Sequence, residues 1–219
     1  MISAENLHKS YDGLEVLKGV SLEIKKGEIV SIVGASGAGK STLLHILGTL
    51  TQSDEGTLII NNENTHQLNP KLLSSFRNKE IGFIFQAHQL LPEFTALENV
   101  CLPAWIKGIS KNKATERAKE ILHDLGLSHR LNHKPMELSG GEQQRVAVAR
   151  ALINAPSVVF ADEPSGNLDT EAAKALHELF FDLRDRYKQT FVIVTHNREL
   201  AEMSDRMLEM KDGLIVSAS

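Results

Sequence analysis

The tightest constraint on this chain is the run Gly34-Ala35-Ser36-Gly37-Ala38-Gly39-Lys40-Ser41, which spaces Gly, four residues, Gly-Lys-Ser. It follows the β-branched stretch Ile29–Val33 and precedes a helical run, Thr42-Leu43-Leu44-His45-Ile46-Leu47. Strand, glycine-rich turn and helix, in that order, form a phosphate-binding loop (P-loop). The glycines let backbone N–H groups turn inward around anionic oxygens, at a helix N-terminus whose dipole favours negative charge. Lys40 brings a cation to the β- and γ-phosphates of a nucleotide, and the Ser41 hydroxyl is a ligand for Mg²⁺. An accidental match arises on the order of once per hundred chains from residue usage alone, before the flanking elements are required. The stretch Ile29–Val33 is apolar but for Ser31, as expected of a strand buried on both faces of a parallel sheet.

The remainder of the chain fits an α/β domain. Its 219 residues are 42% apolar and 24% charged, enough for a sizeable core and too apolar for disorder. Lys and Arg number 24 against 28 Asp and Glu, a net charge of −4 that argues against a nucleic-acid partner. No apolar run approaches the roughly 18 residues of a membrane span, the N-terminus does not read as a signal peptide, and one cysteine, Cys101, forms no internal disulfide. A cytoplasmic protein is expected.

Short β-branched runs predict strands at Ile2–Asn6, Val20–Ile24, Ile29–Val33, Thr57–Ile60, Ile81–Phe85, Val158–Ala161, Phe191–Thr195, Met207–Met210 and Leu214–Val216. Helical periodicity predicts Ser41–Leu50, Pro70–Asn78, Asn112–Leu125, Glu142–Ile153, Thr170–Tyr187 and Asn197–Met203. Lys25-Lys26-Gly27 and Lys211-Asp212-Gly213 read as hairpin turns, implying antiparallel edges near both ends. Strand signal is sparse from Gln86 to Leu152, and Ala114, Ala118, Ile121, Leu122 and Leu125 share one helical face. A mostly helical insertion from about Ala87 to Ile153 is therefore expected.

Val158-Val159-Phe160-Ala161 runs into two carboxylates, Asp162 and Glu163. Alone, such a pair is more often a turn or a helix cap. Beside a phosphate loop it suits phosphoryl transfer, Asp162 holding Mg²⁺ through water and Glu163 orienting or deprotonating the attacking water. Ligands of open parallel sheets collect at these strand ends. His129 and His133 are four apart but lack a third ligand, so a solvated loop is expected there. Cys101, Phe94 and Trp105 read as packing.

Leu138-Ser139-Gly140-Gly141-Glu142-Gln143-Gln144-Arg145 sets a hydroxyl and two glycines before the run Val146–Leu152, which by itself is a capped helix entry. This octet, together with the P-loop, resembles the nucleotide-binding domains of ATP-binding-cassette (ABC) proteins, and the resemblance covers essentially the whole chain. It implies an ABC ATPase fold: a single domain over 1–219, with a P-loop NTPase core and antiparallel β part (1–86 and 154–219) and a helical signature subdomain (87–153). By the same resemblance, Tyr11 stacks on adenine with Val16 nearby, and Gly34 to Thr42 bind the phosphates. Gln86 senses Mg²⁺ and the attacking water, Ser165-Gly166-Asn167-Leu168-Asp169 communicates across a dimer, and His196 contacts the γ-phosphate. Lys40, Gln86, Glu163 and His196 are thus the expected catalytic set, and Ser41, Gln86 and Asp162 the expected Mg²⁺ set. Ser139, Gly140 and Gly141 of one protomer would close over ATP held by Lys40 of the other, so a homodimer is implied, isologous by two-fold symmetry. Ser165 stands where the family often has Thr, and Asn197 where it often has Asp.

The stretch from Gln86 to Trp105 lies where the family forms a groove for a helix of an integral membrane permease subunit. Leu90, Leu91, Phe94, Leu97 and Trp105 are candidate groove or supporting residues. The string Leu-Pro-Glu-Phe-Thr-Ala-Leu-Glu-Asn at 91–99 resembles the lipoprotein-releasing branch of the family, with macrolide-efflux and cell-division branches as close relatives. That branch implies a peripheral protein on the cytoplasmic face of the inner membrane. A non-transport ABC protein acting on DNA or ribosomes would be expected to show long coiled-coil insertions or two cassettes. A GTPase or small-molecule kinase would leave residues 138–145 unexplained.

Overall fold

The computed structural model describes residues 1–218. In chain order they form β1 (Ile2–Tyr11), β2 (Leu14–Ile24), β3 (Ile29–Val33), α1 (Lys40–Leu47), β4 (Glu55–Ile60), β5 (Glu63–Asn64), α2 (Pro70–Glu80), β6 (Ile81–Phe85), α3 (Ala96–Ile106), α4 (Lys111–Asp124), α5 (Gly140–Leu152), β7 (Val158–Asp162), α6 (Thr170–Tyr187), β8 (Thr190–Val194), α7 (Arg198–Met203), β9 (Arg206–Lys211) and β10 (Leu214–Ala218). An antiparallel sheet of four strands has the order β2-β1-β4-β5, and a second sheet of six has the order β10-β9-β3-β8-β7-β6. In the larger sheet only the β9–β10 pairing is antiparallel.

Strand periodicity builds two cores on the two faces of that sheet. Val159, Ala161, Phe191 and Ile193 face a cluster shared with α3 to α6. Their neighbours Val158, Phe160, Val192 and Val194 face α1 and the four-stranded sheet. Successive side chains of a strand point to opposite faces, so these two strands can be apolar throughout. Helix α1 is consequently sandwiched between the sheets, with Leu43, Leu44, Ile46 and Leu47 all buried.

Three local readings are corrected. Lys25-Lys26-Gly27 is not a hairpin: β2 ends in one sheet and β3 begins in the other, and Gly27 N–H donates to Thr190 Oγ1 at 2.9 Å across the gap. The apolar β3 is drawn to the centre of the parallel sheet, where β2, exposed on one face, could not follow. The N-terminal hairpin instead turns at Asp12-Gly13, both at positive φ (47° and 82°), the backbone twist a two-residue turn requires. Helix α1 stops at Leu47 rather than Leu50, because Thr49 adopts φ 58°. Helix α3 carries no prediction. Pro103 inside it reads as a breaker, yet Thr95 and Glu98 close a capping box at its start, and Asn78 and Asn154 both donate to the Pro103 carbonyl at 3.1 Å. The turn at Lys211-Asp212-Gly213 forms as expected.

Helix α5 is fixed at its entry by a second capping box. Ser139 Oγ accepts from Glu142 N–H at 3.3 Å, and Glu142 Oε2 accepts from Ser139 N–H at 2.8 Å. The Ser139 backbone bond, helped by Arg130 at 2.7 Å, holds the Glu142 carboxyl down at about 2. A carboxyl depressed in the fold stabilises above its ordinary pKa, and that stabilisation fades as pH falls from about 4.5 towards 2. Glu142→Gln is expected to cost about 1–3 kcal/mol at pH 7 and to flatten the acid limb of stability over this window, measured by urea unfolding at several pH values. Gly82 of β6 meets α5 so closely that a Cβ there would lie 2.6 Å from the Ala151 carbonyl oxygen. Gly82→Val should therefore destabilise by about 1–3 kcal/mol or more in the same assay.

Candidate active site

Register brings the chemistry to one edge. Phe85 pairs with Asp162, Asp162 with Val194, and Ile32 with Val194, so β6, β7, β8 and β3 end level. Gln86, Glu163 and Gly34 follow immediately beyond their strands, and Thr195 and His196 beyond β8. The edge is the carboxyl end of a parallel sheet, where ligands of such sheets bind.

The loop after β3 is a bowl over a buried cation. Ala35, Ser36 and Gly37 are exposed at its rim, while Ala38, Gly39 and Lys40 are buried beneath. Gly39, at φ 97°, caps α1, and a Cβ there would sit 2.9 Å from the Val16 carbonyl oxygen. Lys40 is 6% exposed, and its ammonium donates to the carbonyls of Gly34 (3.0 Å) and Ala35 (2.9 Å). Among the described residues no carboxylate comes within 4.0 Å of it. A buried cation paired only with its own loop carbonyls favours an anionic ligand. Thr42 lies one turn in, half-buried.

Across the opening, Ser41 Oγ donates to Asp162 Oδ1 at 3.1 Å, and His45 Nε2 lies 3.6 Å from Asp162 Oδ2. A hydroxyl beside a carboxylate is the hard oxygen set that suits Mg²⁺. Among the described residues no three His, Cys, Asp or Glu side chains gather into a metal cage, so such an ion would rely on phosphate oxygens and water for its other ligands. His129 and His133 are not brought together as ligands: His133 Nε2 is 3.2 Å from Arg130 and His129 is 3.9 Å from Glu142.

Glu163 is turned sharply out of β7 at φ 46°, a left-handed conformation rare for a glutamate and of a kind that gathers at functional sites. Its N–H bonds the Val194 carbonyl at 2.9 Å, anchoring the turn. Oε2 accepts from His196 N–H at 3.2 Å, and Oε1 lies 2.9 Å from His196 Nε2 without hydrogen-bond alignment. Burial pushes the Glu163 carboxyl above its ordinary value, against the opposing pull of the His196 N–H and the Lys40 charge. A carboxylate of raised basicity beside a phosphate cradle can accept a proton from water. Asn197 caps α7 by accepting from Leu200 N–H at 2.9 Å, a task that an amide performs without a charge.

Gln86 does not reach the Ser41–Asp162 pair. It donates to Asn167 Oδ1 at 3.1 Å, and Asn167 donates back to the Gln86 carbonyl at 3.1 Å. Gly166 makes room for it, since a Cβ there would lie 2.7 Å from Gln86 Nε2. Gln86, Glu163 and His196 line one cleft of about 650 Å³. Val16 is brought against the loop through its carbonyl, next to Gly39. Tyr11 stands 46% exposed at the end of β1, its ring 5.4 Å from the Lys9 ammonium.

Ser139 and Gly140, at the tip of α5, are exposed to solvent, and Gly141 is half-buried. A Cβ on Gly141 would meet Ala172 at 3.3 Å, and one on Gly140 would meet Leu168 at 3.5 Å. Among the described residues no hydrogen bond joins 139–141 to the 34–42 loop. At the other end of α5, Arg150 donates to the carbonyls of Gln89 (2.5 Å) and His88 (2.8 Å), both in left-handed conformations just after Gln86.

The 86–105 candidates divide between supporting and exposed positions, with Leu91 44% exposed. Leu90, Leu97 and Trp105 pack against the core. Buried Asn99 holds the bend around Leu91 and Phe94, accepting from Leu91 N–H and donating to the Leu91 and Phe94 carbonyls. A hollow of about 380 Å³ beside this stretch is lined by Leu50, Phe83, Phe85, Pro103 and Ile106 among others. Leu50 (42% exposed) reads as the last apolar residue of the predicted helix Ser41–Leu50, and Ile106 (77%) lies just beyond the stretch singled out from the sequence. A residue missed at the cleft is His177, buried against Ser165, and a lone polar residue at a core position of a helix was its only signal. Gln144, within the 138–145 octet, donates to the Pro164 carbonyl at 2.7 Å.

The family model described as "ABC transporter" matches residues 17–166. The chain is 63% identical to the lipoprotein-releasing system ATP-binding protein LolD of Bacteroides thetaiotaomicron, covering 98% of this chain and 99% of that protein. It is 52% identical to LolD of Aquifex aeolicus, covering 99% and 96%. Among solved structures, the ATP-binding cassette MJ0796, in a dimeric post-hydrolysis state bound to ADP and Pi, superposes with a TM-score of 0.91 at 40% identity, covering 100% of this chain and 98% of that one. CbiO1 from Clostridium perfringens, part of the ABC transporter complex cbiONQ, gives 0.90 at 27%, covering 100% and 87%. With a buried lysine under a glycine bowl, paired carboxylates beside it and a match of this extent, the chain belongs to the ABC transporter family.

Proposed function

We propose that this chain is the ATP-binding and ATP-hydrolysing subunit of an ABC transporter that releases lipoproteins from a bacterial inner membrane. The observation that carries the ATPase reading is the buried Lys40 ammonium, held only by its own loop carbonyls and poised to exchange them for phosphate oxygens. Gly34 to Thr42 bind the phosphates. Tyr11 and Val16 receive the adenine. Ser41, Asp162 and Gln86 would hold Mg²⁺, which would neutralise charge on the β- and γ-phosphates. Glu163 takes a proton from the attacking water as the water oxygen bonds to the γ-phosphorus and the bond to the bridging oxygen breaks, giving ADP and phosphate. His196 steadies Glu163 and faces the γ-phosphate.

The Ser139-Gly140-Gly141 tip, exposed at Ser139 and Gly140 and unbonded to the 34–42 loop of its own chain, supports a homodimer in which each tip closes on the partner's nucleotide. Relatives described as dimeric support the same reading. The lipoprotein cargo rests on the LolD relatives. Among the described residues no helix is long and apolar enough to cross a membrane; the relative described as part of an ABC transporter complex supports integral membrane subunits as partners. Their docking helix fits the groove at Leu50, Phe83, Phe85 and Ile106, and the chain would then sit on the cytoplasmic face of the inner membrane.

Glu163→Gln should slow ATP hydrolysis about 10²–10⁴-fold with ATP affinity retained, whereas Lys40→Ala should lose nucleotide binding itself, checked by turnover assays and equilibrium binding. Near-normal turnover in Glu163→Gln would remove that residue from its role. Ile106→Asp, at an exposed position, should leave the melting temperature within about 2 °C while cutting co-purification of integral membrane partners several-fold. Undiminished co-purification would place the docking surface elsewhere.

A further inference from the structure

The segment that follows Glu163 is held from three sides. Its ends are fixed by Glu163 N–H on the Val194 carbonyl (2.9 Å) and by Asp169, which caps α6 through Ala172 N–H (2.8 Å). Between them, Gln144 of α5 donates to the Pro164 carbonyl at 2.7 Å, and Asn167 exchanges two bonds with Gln86. The remaining grip comes from His177, one face of α6 below the segment, whose Nε2 is 3.1 Å from Ser165 Oγ. His177 is 3% exposed, on a helix position otherwise suited to an apolar residue between Leu176 and Phe180. Burial keeps its imidazole below the ordinary pKa, with the Glu199 carboxylate opposing, so the ring is a neutral donor–acceptor.

A buried imidazole costs free energy unless it is hydrogen-bonded, and the Ser165 hydroxyl is the side-chain partner it finds. Ser165 in turn lies between Glu163 and Asn167, the two residues that fix the carboxylate and the Gln86 amide. Both Ser165 and His177 line the cleft that holds Glu163, Gln86 and His196. We infer that His177 is a positioning residue for hydrolysis: through Ser165 it fixes the 163–168 segment and thereby the spacing of Glu163 from Gln86 at the attacking water. Its part is played through the Ser165 hydroxyl. The inference rests on the ATPase reading above and adds a residue to it.

A double-mutant cycle in the purified full chain tests this, reading kcat and KM for MgATP beside the melting temperature. Ser165→Ala and His177→Leu should each lower kcat about threefold to tenfold, the effect of one lost hydrogen bond, with KM within twofold. The double variant should be no slower than the slower single, because the two residues act as one unit. His177→Gln, whose amide can reach Ser165 Oγ, should restore kcat to within about twofold. Wild-type kcat in Ser165→Ala, losses that multiply in the double variant, or a change confined to KM would each overturn the inference. If His177→Leu fails to melt cooperatively, His177→Met takes its place in the cycle. A wild-type chain that turns over no ATP would sink the ATPase reading together with this one; an active wild type beside an unaffected Ser165→Ala sinks only this one.

Discussion

The parallel register of β3, β8, β7 and β6 is the constraint on which everything else depends. Because these strands end level, the residues one or two steps beyond them are delivered to a common edge from points as far apart in the chain as Gly34 and His196. A slip of one residue in any strand would flip its side chains to the opposite face, and both cores would lose their apolar surfaces together. The two-sided apolar content of β7 and β8 is therefore also what specifies the geometry of the cleft. Stability and site placement are one property here.

Onto that frame the fold sets charges in deliberately uncomfortable places. Lys40 is buried without a carboxylate partner, and Glu163 is partly buried with its carboxyl raised and its backbone left-handed. Neighbouring backbone groups meet part of the cost: two carbonyls accept from the ammonium, and the His196 N–H donates to one carboxylate oxygen while the other is left without a hydrogen bond. Glu142 is the contrast. Its carboxylate is fully engaged by a cap and by Arg130, and it serves the stability of α5. A carboxylate satisfied in this way differs physically from one kept ready for a proton.

What could be read from the chain was local. The glycine bowl, the strand running into Asp162 and Glu163, and the serine cap before α5 are contiguous runs whose residue types dictate their conformation. What escaped was relational. The bond between His177 and Ser165, the hold of Asn99 on Leu91 and Phe94, and the groove at Leu50 and Ile106 each join residues that no periodicity links. The Lys25-Lys26-Gly27 turn failed for the same reason: its composition suits a hairpin, but the burial of β3 sends the next strand into a different sheet. Helix α3 was hidden by Pro103, whose cost is offset by the Thr95–Glu98 box and by two asparagines anchored on its carbonyl.

Helix α5 has a solvent-exposed serine cap at one end and Arg150 clamped on His88 and Gln89 at the other. These points are about 16 Å apart along an uninterrupted helix. A rod of this length, with no proline in it, bends little. Pressure on the tip from outside the molecule would thus be handed, almost undiminished, to the bend beside the Phe85–Ile106 hollow, and a force arriving in that hollow would travel back the same way. The helix makes the two surfaces a single lever.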